Sequence, residues 1–145
     1  MFLGQHDHSL DAKGRVILPA EYREPFEAGA VLTKVIDGCL ALWPPEEFQR
    51  VADDLKEKAR RGNVERTVAR SFAGGAKALE IDKQGRIAIP PHLREFAGLD
   101  KEVVIAGVFD RVEIWDKERW RAVDASGEES LRGAAGTESM SDLGI

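Results

Sequence analysis

The sequence predicts an α+β fold in which one supersecondary unit is used twice. Three observations support this prediction: a thirteen-residue motif occurs twice, an apolar strand-like run that ends in Trp follows each copy, and a helix-forming segment follows each Trp. An internal repeat of this kind indicates two copies of one structural unit. Since a unit of roughly 50 residues buries too little surface to be stable alone, we expect the two halves to pack on each other.

The repeated motif occupies residues 11–23 and 82–94. Five residues are identical at one constant spacing of 71 positions: Asp11 and Asp82, Gly14 and Gly85, Arg15 and Arg86, Pro19 and Pro90, and Arg23 and Arg94. No gap interrupts the match, and most of the other positions in it are apolar in both copies. This agreement indicates an internal duplication.

Each motif predicts a tight turn, a short strand and a helix, in that order. The Asp side chain accepts local N–H groups, and the Gly three residues later supplies a positive φ. Pro19 cannot donate to a strand ladder but suits the first turn of a helix. We expect the first helix to end near Gly29 and the equivalent helix near Gly98.

The segments after each motif predict strands and then longer helices. Residues 31–43 and 103–115 are each expected to form a hairpin, with turns near Asp37 and Asp110. Residues 48–59 carry an apolar stripe of helical spacing, which predicts a helix that packs against another part of the protein.

Two further helices are expected at the ends of the halves. A short helix at 64–72 is predicted to be capped by Asn63, and the last helix, which carries Trp120, by Asp116.

These patterns divide the chain into four segments. They are a first half (1–53), a helical connector (54–75), a second half (76–124) and an acidic tail (125–145). The tail contains Ser, Gly, Glu and Ala without periodicity, so we expect it to be disordered.

The net charge of the chain is −5, which argues mildly against nucleic-acid binding, because that affinity comes largely from neutralising phosphates. The acidic tail carries most of this charge. Residues 55–70, by contrast, hold six cationic side chains against two carboxylates. The body of the chain is therefore nearly neutral, with local basic patches.

The sequence lacks the common signatures of catalysis and metal binding. It contains no nucleophile elbow, no phosphate-binding loop and no paired zinc-ligand motif. His6 and His8 alternate along a predicted strand, but a zinc site needs three or four protein ligands. We expect no catalytic residues, no metal and no cofactor, and hence no enzyme.

Cellular location is indicated by three further features. The single Cys39 suits a reducing compartment, and the N-terminus has no basic-then-apolar pattern of a secretory signal. The longest apolar run is far below the ~20 residues that a membrane helix needs. We expect a cytoplasmic protein without a membrane partner.

The arginines that follow the two turns are the best candidates for ligand contact. A guanidinium group binds phosphate, or the edge of guanine, in a bidentate manner, and two-stranded ribbons enter the major groove in several regulators. The alternative is that Asp11 pairs with Arg15, and Asp82 with Arg86, only to hold each turn. For DNA contact we expect both tips to face outward on one surface, with side chains clear of neighbours.

The doubled Asp-x-x-Gly-Arg-x-x-x-Pro-x-x-x-Arg motif, on a chain that begins Met-Phe-Leu-Gly, resembles the MraZ family of the AbrB-like swapped-hairpin group. The resemblance covers roughly residues 1–123. It implies two tandem AbrB-like βαββ-type half-units that form one pseudo-twofold swapped-hairpin β-barrel with flanking short helices. Arg23 and Arg94, at the ends of the motifs, are expected to be structural or interface residues.

The resemblance also implies a function. It implies a sequence-specific DNA-binding transcriptional regulator on the nucleoid, generally a repressor of the division and cell-wall gene cluster, including its own promoter. It implies binding to short promoter repeats through arginine-tipped hairpins on a ring-shaped homo-oligomer. Carried over by position, the DNA-binding residues are Lys13, Arg15, Lys83 and Arg86. The second copy departs at one position, where Gln84 stands in place of Lys13 and Lys83 is displaced by one.

A second class of function stays open. Antitoxins that share the swapped-hairpin fold have another protein as their main partner and wrap it with a long peptide. The tail 125–145 has the composition of such a peptide but few apolar anchors.

Overall fold

Eight strands and four α-helices make up the part of the chain that the computed structural model describes, which is residues 1–133, 140, 142 and 143. The strands are β1 (Gln5–Ser9), β2 (Arg15–Ile17), β3 (Ala30–Lys34), β4 (Leu40–Trp43), β5 (Lys77–Leu79), β6 (Arg86–Ala88), β7 (Glu102–Val108) and β8 (Arg111–Asp116). The helices are α1 (Pro45–Arg60), α2 (Arg66–Gly75), α3 (Pro91–Ala97) and α4 (Lys117–Arg132). The predicted α+β class is confirmed.

The two halves exchange their first strands. β1 of the first half pairs antiparallel with β7 of the second, and β5 of the second half pairs antiparallel with β3 of the first. The central pair is β4 with β8, so the sheet runs β1-β7-β8-β4-β3-β5. This order is symmetric under the duplication, and neither half can complete the sheet without the other.

The strands of the two motifs, β2 and β6, form a separate two-stranded antiparallel ribbon. Within the described residues the strands make this ribbon and one six-stranded sheet, and they do not close into a barrel. The swapped-hairpin barrel implied by the resemblance is therefore not confirmed and stays a prediction.

The main hydrophobic core joins the ribbon to one face of the sheet. Val16 and Ile87, the middle residues of the two ribbon strands, are buried in one cluster with Leu32 and Ile105 of the sheet. Because side chains alternate along a strand, the neighbours of Val16 and Ile87 lie on the opposite, outer face of the ribbon.

The other face of the six-stranded sheet is covered by helices. Trp43 and Trp115 are buried there, and α1 contacts β4 while α4 contacts β8. The indole N–H of Trp43 donates to Thr33 Oγ1 at 2.9 Å, and that of Trp115 donates to Glu113 Oε1 at 3.0 Å. These bonds satisfy polar groups that burial would otherwise leave unpaired.

The helix predicted between Pro19 and Gly29 is wrong in form. The chain makes two 3-10 turns there, Ala20–Tyr22 and Glu24–Phe26. A continuous α-helix would place Pro25 in its interior, where the ring clashes with the preceding turn and the missing N–H removes a hydrogen bond. In the second half α3 has no proline at the equivalent position, and it is capped by Gly98, which has the predicted left-handed conformation (φ 62°).

The predicted cap at Asn63 is also wrong. α2 begins at Arg66, and its N-cap, Glu65, makes no side-chain cap bond. The backbone N–H of Asn63 instead donates to the carbonyl of Lys58 at 2.9 Å, one residue after Gly62 with φ 79°. This is the pattern that closes a helix C-terminus, so Asn63 belongs to the end of α1.

The last helix extends further than predicted. Asp116 caps it as expected, because its side chain accepts the N–H of Arg119 at 3.2 Å. α4 then continues to Arg132, so the expectation of disorder is wrong for residues 125–132. Pairs such as Arg132 with Glu128, at 2.8 Å, join successive turns of the helix. Residues 134–139, 141, 144 and 145 of the predicted tail lie outside the described residues.

Candidate nucleic-acid interface

Each motif folds into a turn that is held by its aspartate. Asp11 Oδ1 accepts the backbone N–H groups of Lys13 and Arg15, both at 2.9 Å. Asp82 Oδ1 accepts those of Gln84 and Arg86 at 2.9 and 2.8 Å. The two copies therefore build the same turn, as the repeated spacing predicts.

The two turns are joined by the ribbon between them. Val16 lies opposite Ile87 in the register of β2 and β6. Beyond the ladder, Leu18 N–H donates to the carbonyl of Gly85 at 2.8 Å, and Ile89 N–H donates to that of Gly14 at 3.0 Å. The chain thus presents both turns on one rigid unit.

Arg15 and Arg86 lie on the outer face of this ribbon and are anchored by one edge of the guanidinium. Arg15 Nε donates to Asp11 Oδ2 at 2.7 Å, and Arg86 Nε donates to Asp82 Oδ2 at 2.8 Å. Their side chains are 29% and 26% exposed, so neither is packed into the protein interior.

The far edges of the two guanidinium groups differ. Arg86 Nη2 donates to Gln84 Oε1 at 2.6 Å, whereas the terminal nitrogens of Arg15 have no hydrogen-bond partner within residues 1–133. The expectation that both tips are clear of neighbours is therefore corrected, because both are paired with an aspartate and one also with a glutamine. Holding the turn and contacting a ligand are compatible roles, because Nε bonds the aspartate and the terminal nitrogens lie at the outer edge of the guanidinium.

The two aspartates carry charge under all ordinary conditions. The pKa of the Asp11 carboxyl lies below its usual range, first because the backbone N–H of Arg15 donates to it and then because the guanidinium does. The pKa of Asp82 is lowered in the same way by Arg86. Each arginine is thus held by an ionised partner, which fixes its orientation before any ligand arrives.

Arg23 and Arg94 cross from one motif to the other, which confirms the structural role expected of them. Arg23 Nε donates to the carbonyl of Leu18 at 2.8 Å, and its guanidinium lies where a Cβ on Gly85 would stand. Arg94 Nη1 donates to the carbonyl of Ile89, and its guanidinium covers Gly14 in the same manner. Each glycine thus serves its own turn through a positive φ and accommodates the other copy's arginine.

Lys13 and Lys83 are both exposed at the turns, but their surroundings differ. Neither ammonium group has an ion-pair partner within the described residues. Lys83 lines a cleft together with two carboxylates, Glu27 and Glu80, and with the guanidinium of Arg23.

The register of the ribbon adds two residues that the sequence interpretation missed. Ile17 lies opposite Arg86, and Ala88 lies opposite Arg15, so all four side chains share the outer face. The signal that could have found them is the strand alternation, which puts residues i and i+2 on one face.

Other kinds of site have little support in the described part of the chain. No group of three or more His, Cys, Asp and Glu side chains there is arranged to hold a metal ion. No helix among the described residues combines the length and the apolarity that crossing a membrane requires.

Comparison with known proteins assigns a family to this arrangement. The family model described as "MraZ protein, putative antitoxin-like" matches the chain twice, over residues 1–71 and 72–140. The two matches agree with the duplication read from the sequence.

Curated relatives match over most or all of their length. The chain is 44% identical to the transcriptional regulator MraZ of Acetivibrio thermocellus, over the whole of both chains. It is 47% identical to that of Lachnoclostridium phytofermentans, over 84% of this chain and 86% of the relative. It is 48% identical to that of Heliobacterium modesticaldum, over 83% and 84%. These names are those of transcriptional regulators and not of enzymes.

Proposed function

The chain belongs to the MraZ family, and from this premise we propose that it is a sequence-specific, DNA-binding transcriptional regulator. The observation that carries the proposal is the pair of arginines on one outer ribbon face, each fixed by an aspartate through Nε. The curated relatives are named as transcriptional regulators, which supports the same conclusion.

The ribbon binds in the major groove with β2 and β6 facing the bases. The groove is about 12 Å wide and admits a two-stranded ribbon. The outer nitrogens of Arg15 and Arg86 donate to guanine O6 and N7, while Lys13 and Lys83, at the turns, neutralise phosphates. Because Asp11 and Asp82 already hold the guanidinium groups, little side-chain entropy is lost on binding.

The target we propose is a set of short repeats in the promoter of the division and cell-wall gene cluster, including the protein's own promoter, where binding represses transcription. The proposal places the protein in the cytoplasm, on the nucleoid. In this proposal the protein has no membrane partner.

A ring-shaped homo-oligomer reconciles DNA binding with the net charge of −5. One ribbon offers few cationic contacts, but several ribbons on one ring bind several repeats together. Linked contacts gain affinity from effective concentration without any new contact.

Two exposed apolar tips at opposite ends of the sheet support such a ring. β4 and β8 are antiparallel, so the β3–β4 turn, with Ile36, lies at one end of the strands and the β7–β8 turn, with Phe109, at the other. Contact between unlike ends of successive copies is the arrangement that closes rings.

The backbone at Phe109 also supports an interface there. Its φ is 64°, a left-handed conformation that is a genuine outlier for a bulky residue, and its side chain is 65% exposed beside Met1. The backbone of Phe109 bonds that of Phe2, but its exposed aromatic side chain contributes little to the packing of its own chain. We infer that its role is contact with a second copy.

The variant Phe109→Asn is therefore expected to shift the protein from ring to monomer without loss of fold. Asn tolerates the left-handed conformation better than Phe, and the backbone bonds between residues 2 and 109 do not involve the side chain. Size-exclusion chromatography with light scattering measures the mass. Leu131→Asn on α4 is the control, since Leu131 is 64% exposed. An unchanged mass for Phe109→Asn would contradict this interface.

The proposed function is tested with duplex DNA from upstream of the protein's own gene. Fluorescence anisotropy should give a higher affinity for this duplex than for a shuffled duplex of equal composition. The affinity should fall steeply as salt rises, because phosphate contacts release counterions. Equal affinity for both duplexes would refute sequence-specific regulation.

The family is described as antitoxin-like, which favours a second candidate function, that of a protein-interaction module. Purification of the tagged protein from a nuclease-treated lysate separates the two functions. A stoichiometric protein partner, together with no binding to the upstream duplex, would favour the second.

A further inference from the structure

Ile17 is a large apolar side chain on the face that carries the two arginines. It is 45% exposed and lies directly opposite Arg86 in the register of the ribbon. Its neighbour Val16 belongs to the core, whereas Ile17 points to the other side. An exposed isoleucine there makes no contribution to the packing of the ribbon on the sheet.

The equivalent position in the second copy shows that the ribbon does not require this side chain. Ala88 stands there, opposite Arg15, and it is paired in the ladder just as Ile17 is. The twofold symmetry of the outer face is therefore broken at this position. It is broken again at the turns, where Gln84 bonds Arg86 and no equivalent bond to Arg15 occurs among the described residues.

The spacing between opposite side chains on the ribbon is between one and two base-pair steps of DNA. Side chains directly opposite each other on antiparallel strands have Cβ atoms about 5 Å apart. Successive base pairs are about 3.4 Å apart along the axis. A guanidinium bound to guanine at Arg86 therefore brings Ile17 to the edge of an adjacent base pair.

We propose that Ile17 is a specificity-determining residue that contacts the C5-methyl group of a thymine next to the guanine bound by Arg86. The thymine methyl is the one apolar group on the major-groove edge of the bases, and apolar side chains are its usual partners. The side chain of Ala88 is shorter than that of Ile17, so the two strands of the ribbon contact different base-pair sequences. This proposal rests on the proposed function, because it takes the ribbon to lie in the major groove.

The test removes the methyl group from the DNA. The DNA duplex that the full-length protein binds most tightly is selected from a randomised library. This duplex is then prepared in two forms, one with thymine and one with deoxyuridine in its place. The protein should bind the thymine duplex about fourfold more tightly, the change expected for burial of one methyl group. Ile17→Ala should bind both duplexes equally, and Ile17→Val, which keeps a branched side chain, should retain part of the preference.

Val123→Ala is the matched control, because Val123 is also 45% exposed but lies on α4. It should keep the full preference for thymine. Equal binding of both duplexes by the unmodified protein, or an unaltered preference in Ile17→Ala, would overturn the inference and leave the proposed function standing. A selection that enriches no duplex would instead refute the proposed function itself.

Discussion

Replacing Arg15 and Arg86 together by alanine is expected to lower the affinity for promoter DNA by at least about 30-fold, since each bidentate contact with guanine contributes about 1–3 kcal/mol of discrimination. The loss should be larger on a ring, because every copy loses both contacts and the linked binding of several repeats fails with them. Gel shift on a repeat-containing promoter, with the unmodified protein beside the variant, measures the effect.

The same variant should remain folded, which makes the result interpretable. The turns are held by Asp11 and Asp82 through backbone N–H groups that alanine retains. Arg121→Ala is the control, since Arg121 is an exposed arginine on α4 whose ion pair in the described part of the chain is with Glu118. If the double variant stays oligomeric and still binds the promoter, the ribbon is not the DNA-binding surface.

The two single variants should differ. The terminal nitrogens of Arg15 have no partner within residues 1–133, whereas Arg86 Nη2 must leave Gln84 before it can bind a base. Exchanging one hydrogen bond for another returns less free energy than making a new one. Arg15→Ala should therefore weaken binding more than Arg86→Ala in the same gel shift.

Gly107→Ala is expected to destabilise the fold by about 3 kcal/mol, within the range for overpacking a tightly fitted site. A Cβ on Gly107 would overlap the backbone at residues 2 and 3, which cannot rotate away as a side chain would. The N-terminal segment would have to leave β7 and give up the 2.7 Å bond from Gly107 N–H to the carbonyl of Gly4. Phe2, buried against Phe26, would then be exposed. Urea unfolding followed by tryptophan fluorescence measures the loss.

Gly127→Ala is the matched control for this substitution. Gly127 lies within α4, and a Cβ there meets nothing within 4 Å. Alanine in a helix interior is more favourable than glycine by roughly 0.5–1 kcal/mol, so this variant should be slightly more stable than the unmodified protein. Equal effects of the two substitutions would show that the close approach at Gly107 does not matter for stability.

The local parts of the site could be predicted because their causes lie within a few residues. Asp11 and Asp82 bond backbone groups two and four positions on, so the repeated spacing was enough to place both turns. The broken first helix was readable too, from Pro25, since a proline in a helix interior costs about 3 kcal/mol. The extension of α4 past residue 125 could not be predicted, because that segment has no apolar stripe of helical spacing.

The contacts between the two copies of the motif could not be predicted. Nothing in the sequence says that Arg23 reaches Gly85 or that Arg94 reaches Gly14, because each contact joins different copies of the motif. Nor does the sequence show that Gln84 bonds Arg86 while the terminal nitrogens of Arg15 have no such partner within residues 1–133. Such contacts depend on how the two copies are oriented, which the spacing within one copy does not contain.

By itself, the sequence determined the duplication, the two aspartate-held turns and the outward direction of Arg15 and Arg86, because turn chemistry and strand alternation act over a few positions. Only the tertiary structure decided that β1 pairs with β7, that β2 pairs with β6, and that Ile17 therefore stands beside Arg86. An apolar strand pattern says which face is buried but not which strand lies alongside. The partner is chosen by the packing of the two halves as a whole.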